Sequence, residues 1–499
     1  MPRNHRRGLR IEPHHKLLRD AGLREVEDSM KIRLPYGDGF QTLDTGGRHN
    51  VEVLEAYMNA GGGEWEDAEI RDTIINYEDR DVIVNYEDRD TIINYEDRIV
   101  LRAMACPIGS PRLAELARPA RSAVVICSDH TRPVPSRKIV PHILAELREG
   151  NPGADITLLI ATGTHRAPSR AELTQKFGPH IVRDERVEIH DSKDSCRLRR
   201  IGRLPSGADL VINRTAADAD LLVAEGFIEP HFFAGFSGGR KSVLPGICAY
   251  ETVLGNHCAA FIADPASRAG VLKGNPIHRD MVAAQRLAKL AYIVNVTIDD
   301  KKRVAGAYAG DPDAAHTEGC RALAERCRVA PSRPADIVVT TNGGAPLDQN
   351  IYQSVKCMTA AEAAAAPGAV IIALSECADG AGGESFGRMM SGCESPAALL
   401  AATERVPMGK TAEDQWQAQI LARILSKHTV ILVCCAGARE AARSMKLLTA
   451  ASADEAFELA LELYDRRAEA SYTPAKGPAI TVIPDGVSVI VETKFPRTH

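Results

Sequence analysis

From residue 122 onward, apolar positions come in short unbroken runs separated by amphipathic stretches. Ala123–Ser128 (AVVICS) is the first, closed by Asp129, and Asp155–Ala161 (DITLLIA) is the next. Asp209–Ile212, Asp220–Val223 and Tyr292–Val296 continue the series. Between the first two runs, Ile139, Ile143, Leu144 and Leu147 recur at helical spacing, which predicts a helix within Ser136–Glu149. Another helix is predicted near Arg170–Phe177. Strand–helix alternation of this kind predicts a mostly parallel, doubly wound sheet. Near Cys327–Pro334 the composition turns basic and proline-bearing, which marks a hinge. A second alternating set follows: strand Asp336–Thr340, helix Tyr352–Ala365, strand Val370–Leu374, helices near 396–404 and 413–426, and strand Thr429–Cys434. The expected fold class is α/β: two three-layer α/β domains with mostly parallel sheets, residues 30–330 and 331–499. The cleft between them is the expected ligand site. The last segment is expected to pack back on the first domain.

Two segments stand outside the pattern. Residues 1–29 carry Arg3, Arg6, Arg7, Arg10, His14 and His15 but no apolar stretch, so they do not read as a secretory signal. Glu12, Asp20, Glu25, Glu27 and Asp28 argue against a transit peptide. Met30, followed by the strand-like Lys31–Gly37, is the expected natural start, with the prefix disordered or non-native. Residues 72–98 hold the tandem copies DTIINYEDR, DVIVNYEDR and DTIINYEDR. So short an array cannot build a repeat domain. It is expected to be an insertion whose Ile/Val pairs could form edge strands, with no chemistry of its own.

Composition narrows the function classes. A chain of 499 residues can bury a large core without staples. The net charge of −5 suggests no nucleic-acid footprint, so an anionic ligand needs local basic residues. None of the 12 cysteines forms a C-x-x-C pair, which argues against a zinc ribbon or thioredoxin motif. Cys127 and Cys434 lie in apolar runs and read as reduced core residues of a cytoplasmic protein. No apolar stretch reaches the ~18 residues of a membrane span, so no membrane partner is expected.

Chemistry concentrates at the ends of the runs. After AVVICS comes Asp129-His130-Thr131-Arg132-Pro133-Val134-Pro135, and after DITLLIA comes Thr162-Gly163-Thr164-His165-Arg166. Ligands bind outside the carboxyl ends of parallel strands, which brings Arg132 and His165 to one crevice. Arg132 suits a grip on a carboxylate; it could equally close a surface ion pair, and His165 could cap a helix. The densest signal is Glu229-Pro230-His231-Phe232-Phe233-Ala234-Gly235-Phe236-Ser237-Gly238-Gly239-Arg240-Lys241-Ser242. It is not a P-loop, because Arg240 separates Gly239 from Lys241 and position 234 is alanine. Ser237, Gly238 and Gly239 could still approach a phosphate through backbone N–H groups. His257 lies in a helical stretch, Glu251–Ile262, and a lone helical histidine is more often structural than a ligand. Three histidines, 165, 231 and 257, at one inferred crevice favour a metal site or acid–base chemistry. No H-E-x-x-H zinc motif is present.

In the second set, Gln353 and Lys356 share a helix face near its N-terminus. A lysine there is unfavourable without an anion, so a bound carboxylate is implied; a solvated exposed face is the alternative. Trp416 is either core or pocket wall.

The strings DHTRPVP, GTHR, HFFAGFSGGRK and GNH, with the later Tyr-Gln-x-x-Lys and Asp-Gln-Trp, resemble those of the lactate racemase family from about Lys31 to the C-terminus, the repeat excepted. The resemblance implies a nickel-pincer nucleotide, the pyridinium-3-thioamide-5-thiocarboxylic acid mononucleotide with nickel, covalently attached at Lys241. It implies His257 as the nickel ligand, Asp129 at the nucleotide, and His165 and His231 as paired acid–base residues. Arg132, Tyr352, Gln353, Lys356 and Trp416 would line the substrate. The implied function is racemisation or epimerisation of a small 2-hydroxy acid by reversible hydride transfer through a 2-keto acid, with cofactor biosynthesis proteins as partners. The alternative is a non-catalytic homologue or carrier of the nickel cofactor, which would not need both histidines. A NAD-dependent dehydrogenase would need G-x-G-x-x-G after the first strand, where DHTRPVP stands instead.

Overall fold

The computed structural model describes residues 31–47, 50–56, 95–299, 301–470 and 477–492. The expectations for the 1–29 prefix and for most of the repeat lie outside these residues. The described end of the last repeat copy, Tyr95–Arg98, opens the helix Tyr95–Ala105. Glu96 and Asp97 in its first turn complement the positive end of the helix dipole.

The chain begins with a hairpin, β1 (Lys31–Tyr36) and β2 (Gly39–Asp44), followed by β3 (Val51–Val53). β4 (Ser122–Ser128), β5 (Asp155–Ala161) and β6 (Arg186–Ile189) then run parallel. β7 (Leu198–Arg203) and β8 (Asp209–Asn213) form a separate antiparallel pair. The run 209–212, expected in the main sheet, is therefore displaced from it. Its alternation is the reason: Leu210 and Ile212 are buried while Asp209 is exposed, the pattern of a strand with one wet face. β9 (Leu221–Phe227) is buried throughout and lies at the sheet centre. The short β10 (Pro230–His231) and β11 (Gly235–Phe236) pair as a hairpin. β12 (Leu290–Ile298) and the antiparallel edge strand β13 (Val304–Gly310) complete a six-stranded sheet of order β13-β12-β9-β4-β5-β6.

After β14 (Arg328–Val329), a second six-stranded sheet is built from β15 (Ala335–Thr341), β16 (Ala365–Leu374), β17 (Thr429–Val433), β18 (Leu448–Ala450) and β19 (Ile480–Ile483). Its order is β18-β17-β16-β15-β19-β3. Residues 31–53, expected with the first unit, thus belong to the second: β3 pairs in parallel with β19, and Ile32, Leu34 and Leu43 enter that unit's core. The final β20 (Ile490–Val491) pairs with β14, and Ile490 packs with Ile228, Phe236 and Leu323 of the first unit. The expected helix Ser136–Glu149 starts as a 3₁₀ turn and becomes α-helical only over Val140–Gly150, with Pro141 in its first turn.

Candidate active site

A cleft of about 550 Å³ opens at the carboxyl ends of β4, β5 and β9 and is closed on its far side by the second unit. It is lined by Asp129, Arg132, His165, His231, Ser237, Gly238, Lys241, His257, Tyr352, Gln353, Lys356 and Trp416, twelve residues that the sequence singles out. Gly239 is the exception: its N–H donates to Asn295 Oδ1 at 2.7 Å, behind the cleft wall. A side chain at Gly238 (φ +74°) would bring Cβ within 2.6 Å of Asn295 Oδ1 and 2.9 Å of the Phe227 carbonyl. Only glycine fits a backbone so placed.

The loop carrying Lys241 is held from inside. The Ser237 hydroxyl accepts from Glu229 N–H and donates to the Phe227 carbonyl, both at 2.9 Å, so it is committed to the fold. Arg240 is fully buried. Its guanidinium donates to the carbonyls of Ala234 (2.8 Å), Phe236 (2.9 Å), Ser237 (3.4 Å) and Gly238 (3.3 Å), and to ring nitrogens of His278 (2.9 Å) and His316 (2.8 Å). Burial pushes the Arg240 pKa down to about 10 and the His278 pKa down to about 3. Lys241 follows directly. Burial, then the Arg240 and Arg132 charges, holds its amine well below the ordinary lysine range, which favours the neutral, nucleophilic form.

The two expected acid–base histidines are held in opposite tautomers. His165 Nδ1 lies 2.8 Å from Asp129 Oδ2. A carboxylate only accepts, so the proton sits on Nδ1 and Nε2 is left as a base. Asp129 is itself buried, takes Thr131 Oγ1 at 2.7 Å on its other oxygen, and is held well below the usual carboxylate range. Burial alone would raise it; the hydrogen bond and charge of His165 overcome that, aided by Arg132 and Thr131. At His231, by contrast, Nδ1 accepts from Ala234 N–H at 3.3 Å. The neutral ring therefore carries its proton on Nε2 and is a donor. Burial, followed by the charges of Lys241, Lys356 and Arg132, keeps that ring neutral. Phe232 stacks on it at 5.0 Å.

His257 does not sit inside a continuous helix, as expected from sequence. It terminates the helix Tyr250–Asn256, and a second short helix begins at Ala259. Its Nδ1 donates to the Val253 carbonyl at 3.1 Å, which leaves Nε2 unprotonated, the form that binds a metal. Burial, reinforced by Lys241, pushes its pKa to about 3. Phe233 and Trp416 flank the ring, each at 5.1 Å between centroids. Among the described residues no group of three or more His, Cys, Asp or Glu could hold a metal unaided.

From the second unit, Asn350 caps the helix Ile351–Ala364 and sets Tyr352, Gln353 and Lys356 at the cleft. Lys356 is half-buried, not on a solvated face. Burial, then Arg132, lowers its pKa to about 8. Trp416 is 7% exposed and donates its indole N–H to Tyr352 Oη at 3.1 Å, so it is both core and wall. Arg132 is exposed at the cleft mouth. Glu229, which the sequence reading did not single out, stands among these cations; burial raises its pKa against the pull of Lys356, Arg132 and Lys241. A second cavity of about 520 Å³ shares Arg132, Glu229, His231, Phe232 and Lys356 with the cleft.

Known proteins match over most of the chain. A family model for the lactate racemase N-terminal domain matches residues 72–270, and one for the lactate racemase C-terminal domain matches residues 330–491. Lactate racemase of Thermoanaerobacterium thermosaccharolyticum is 49% identical over 396 residues, covering 79% of this chain and 90% of that protein. Lactate racemase of Lactiplantibacillus plantarum is 48% identical over 393 residues, with the same coverage of 79% and 90%. The structure of the T. thermosaccharolyticum lactate racemase apoprotein superposes with a TM-score of 0.82 at 44% identity, covering 93% of this chain and 100% of that one. A Thermotoga maritima protein, 17% identical with a TM-score of 0.56, shares the fold alone and covers 78% of this chain and 100% of its own. With a mostly parallel two-sheet α/β fold and this cleft, the chain belongs to the lactate racemase family, a family of isomerases.

Proposed function

We propose that this protein racemises or epimerises a small 2-hydroxy acid, lactate or a close relative, with a nickel-pincer nucleotide tethered at Lys241. The observation that carries the reading is the pair of histidines in opposite tautomers in one cleft with Lys241, whose amine is held well below its ordinary range, and a histidine with a free Nε2. The residues fit the group. A half-buried amine held well below the ordinary lysine range suits covalent attachment, the His257 Nε2 lone pair suits nickel, and Gly238 lines the same cleft. When bound, the nickel-pincer nucleotide supplies an acceptor and donor for the C2 hydride, so the high-energy α-carbanion is avoided.

The chain's own residues do the rest. Arg132 and Lys356 bind the substrate carboxylate, while Tyr352, Gln353 and Trp416 bound its other side. His165 Nε2 takes the hydroxyl proton of one enantiomer, and Asp129 stabilises the imidazolium that forms. His231 Nε2–H donates to the oxygen as it becomes a carbonyl. The planar 2-keto acid turns over and is reduced on its opposite face, against His231. Supplying a proton there requires that His231 enter the turn as imidazolium, its second proton taken from solvent at Nδ1 in place of the Ala234 bond; after the turn His231 is neutral, and His165 returns the hydroxyl proton to solvent. The substrate carboxylate favours the imidazolium, because it offsets the Arg132 and Lys356 charges that keep His231 neutral.

A carrier would need neither the Asp129–His165 pair nor a donor at His231. Cofactor biosynthesis proteins are the expected partners. Among the described residues no helix is long and apolar enough to cross a membrane. The test is intact-mass and nickel analysis of protein co-expressed with a pincer-cofactor synthesis pathway. The expected result is a covalent adduct at Lys241, stoichiometric nickel, and interconversion of D- and L-2-hydroxy acids by chiral analysis. Unmodified, nickel-free protein from a host that loads another family member would overturn it.

A further inference from the structure

Glu225 is a cleft-lining carboxylate that the proposed function leaves unused. It sits near the carboxyl end of the central strand β9 and is 1% exposed. Its Oε1 is saturated: Ser128 N–H and Ser128 Oγ donate to it at 2.8 Å, and Ser136 Oγ at 3.2 Å. These bonds fix the plane and rotation of the carboxylate. Its Oε2 is buried and has no hydrogen-bond partner among the described residues, although the side chain lines the cleft. A buried acceptor left unpaired is costly, and a carboxylate acceptor more so. The missing partner is therefore a donor, brought by a ligand or by a water.

The position favours the ligand. Glu225 bonds to Ser128, the residue immediately before Asp129, in the floor of the crevice where β4 and β9 end. Ligands of open α/β sheets bind outside the strand carboxyl ends, and in dinucleotide-binding sheets an acidic side chain there takes a ribose hydroxyl. The chemistry of a mononucleotide points the same way. Its phosphate and thiocarboxylate groups are acceptors that an anion repels, whereas its ribose hydroxyls donate. We propose that Glu225 Oε2 receives the ribose hydroxyls of the cofactor nucleotide. Glu225 is then a cofactor-binding residue that orients the sugar while Lys241 and His257 hold the other end. The inference rests on the nucleotide reading given above.

The test uses apoprotein and binding calorimetry, with nicotinic acid mononucleotide and its 2′-deoxy and 3′-deoxy analogues as probes. Glu225→Gln is the informative variant. Its amide oxygen can keep the three serine bonds, but its NH₂ presents a donor where an acceptor is needed. Wild type is expected to prefer the ribonucleotide over at least one deoxy analogue by about tenfold, the size of one charge-assisted hydrogen bond. Glu225→Gln is expected to bind the ribonucleotide about tenfold more weakly and to lose that preference. Its unfolding midpoint, measured alongside, shows that the fold is retained. Equal affinity of wild type and variant, or an unchanged deoxy penalty in the variant, overturns the ribose assignment and leaves the nucleotide reading standing. A weaker variant with no deoxy penalty in wild type also overturns it, in favour of attraction to the pyridinium charge. Wild type that binds none of the three probes overturns the nucleotide reading and the ribose assignment together.

Discussion

Asp129 Oδ2 stands 2.8 Å from His165 Nδ1, and that single bond decides which nitrogen of His165 can act as a base. The carboxylate is buried while the imidazole reaches 40% side-chain exposure, so the pair is anchored at one end and open to the cleft at the other.

Asp129→Asn is expected to slow racemisation by roughly 10²–10⁴-fold, the usual value of a positioned general base, because an amide can stabilise the wrong tautomer. His165→Ala should cost a similar factor, and the double variant little more, since the residues act as a unit. Initial rates from each enantiomer by chiral chromatography measure this. Multiplicative losses would show that Asp129 does not work through His165.

The same pair makes a prediction about acid stability. The folded pKa of Asp129 is depressed, so its contribution is present above the unfolded value of about 3.9 and is lost as pH falls through the folded one. Wild type should therefore unfold at a higher temperature than Asp129→Asn at neutral pH, with the gap closing in strong acid. Calorimetry at stepped pH tests it; a constant gap would contradict the ion pair.

Lys356, with its pKa lowered to about 8, predicts the alkaline limb of substrate binding. The folded value lies below the ordinary lysine value, so the charge that attracts a carboxylate fades as pH rises through 8. KM for a 2-hydroxy acid should then rise. Bound carboxylate raises the lysine pKa, so kcat should hold to higher pH than kcat/KM. Lys356→Arg should move the limb beyond the measurable range. A limb unmoved in that variant would assign it to another group.

Arg240 should matter for stability and for loading alike. Removing its guanidinium in Arg240→Met strands carbonyls of Ala234 and Phe236 and ring nitrogens of His278 and His316. A loss of at least about 3 kcal/mol in denaturant unfolding is expected, with weaker adduct formation at Lys241. Arg240→Lys keeps charge but not the fork of donors, and should fall between. A variant as stable as wild type would show that the loop does not depend on this residue.

The sequence by itself determined the elements and the chemistry-bearing strings. Buried parallel strands read as continuous apolar runs, and the residues just after them, Asp129, Arg132, His165 and His231, stand at a ligand cleft by a rule of the fold class. What one strand end carries is contiguous in the chain, so it was legible. Bonds between distant positions were not. The tautomer of His165, the orphaned oxygen of Glu225 and the Arg240–His316 contact across 76 positions arise only when separate elements pack. The break after Asn256 and the transfer of β3 to the second sheet are likewise tertiary decisions: local periodicity specifies that a strand or helix forms, not which sheet takes it or where packing ends it.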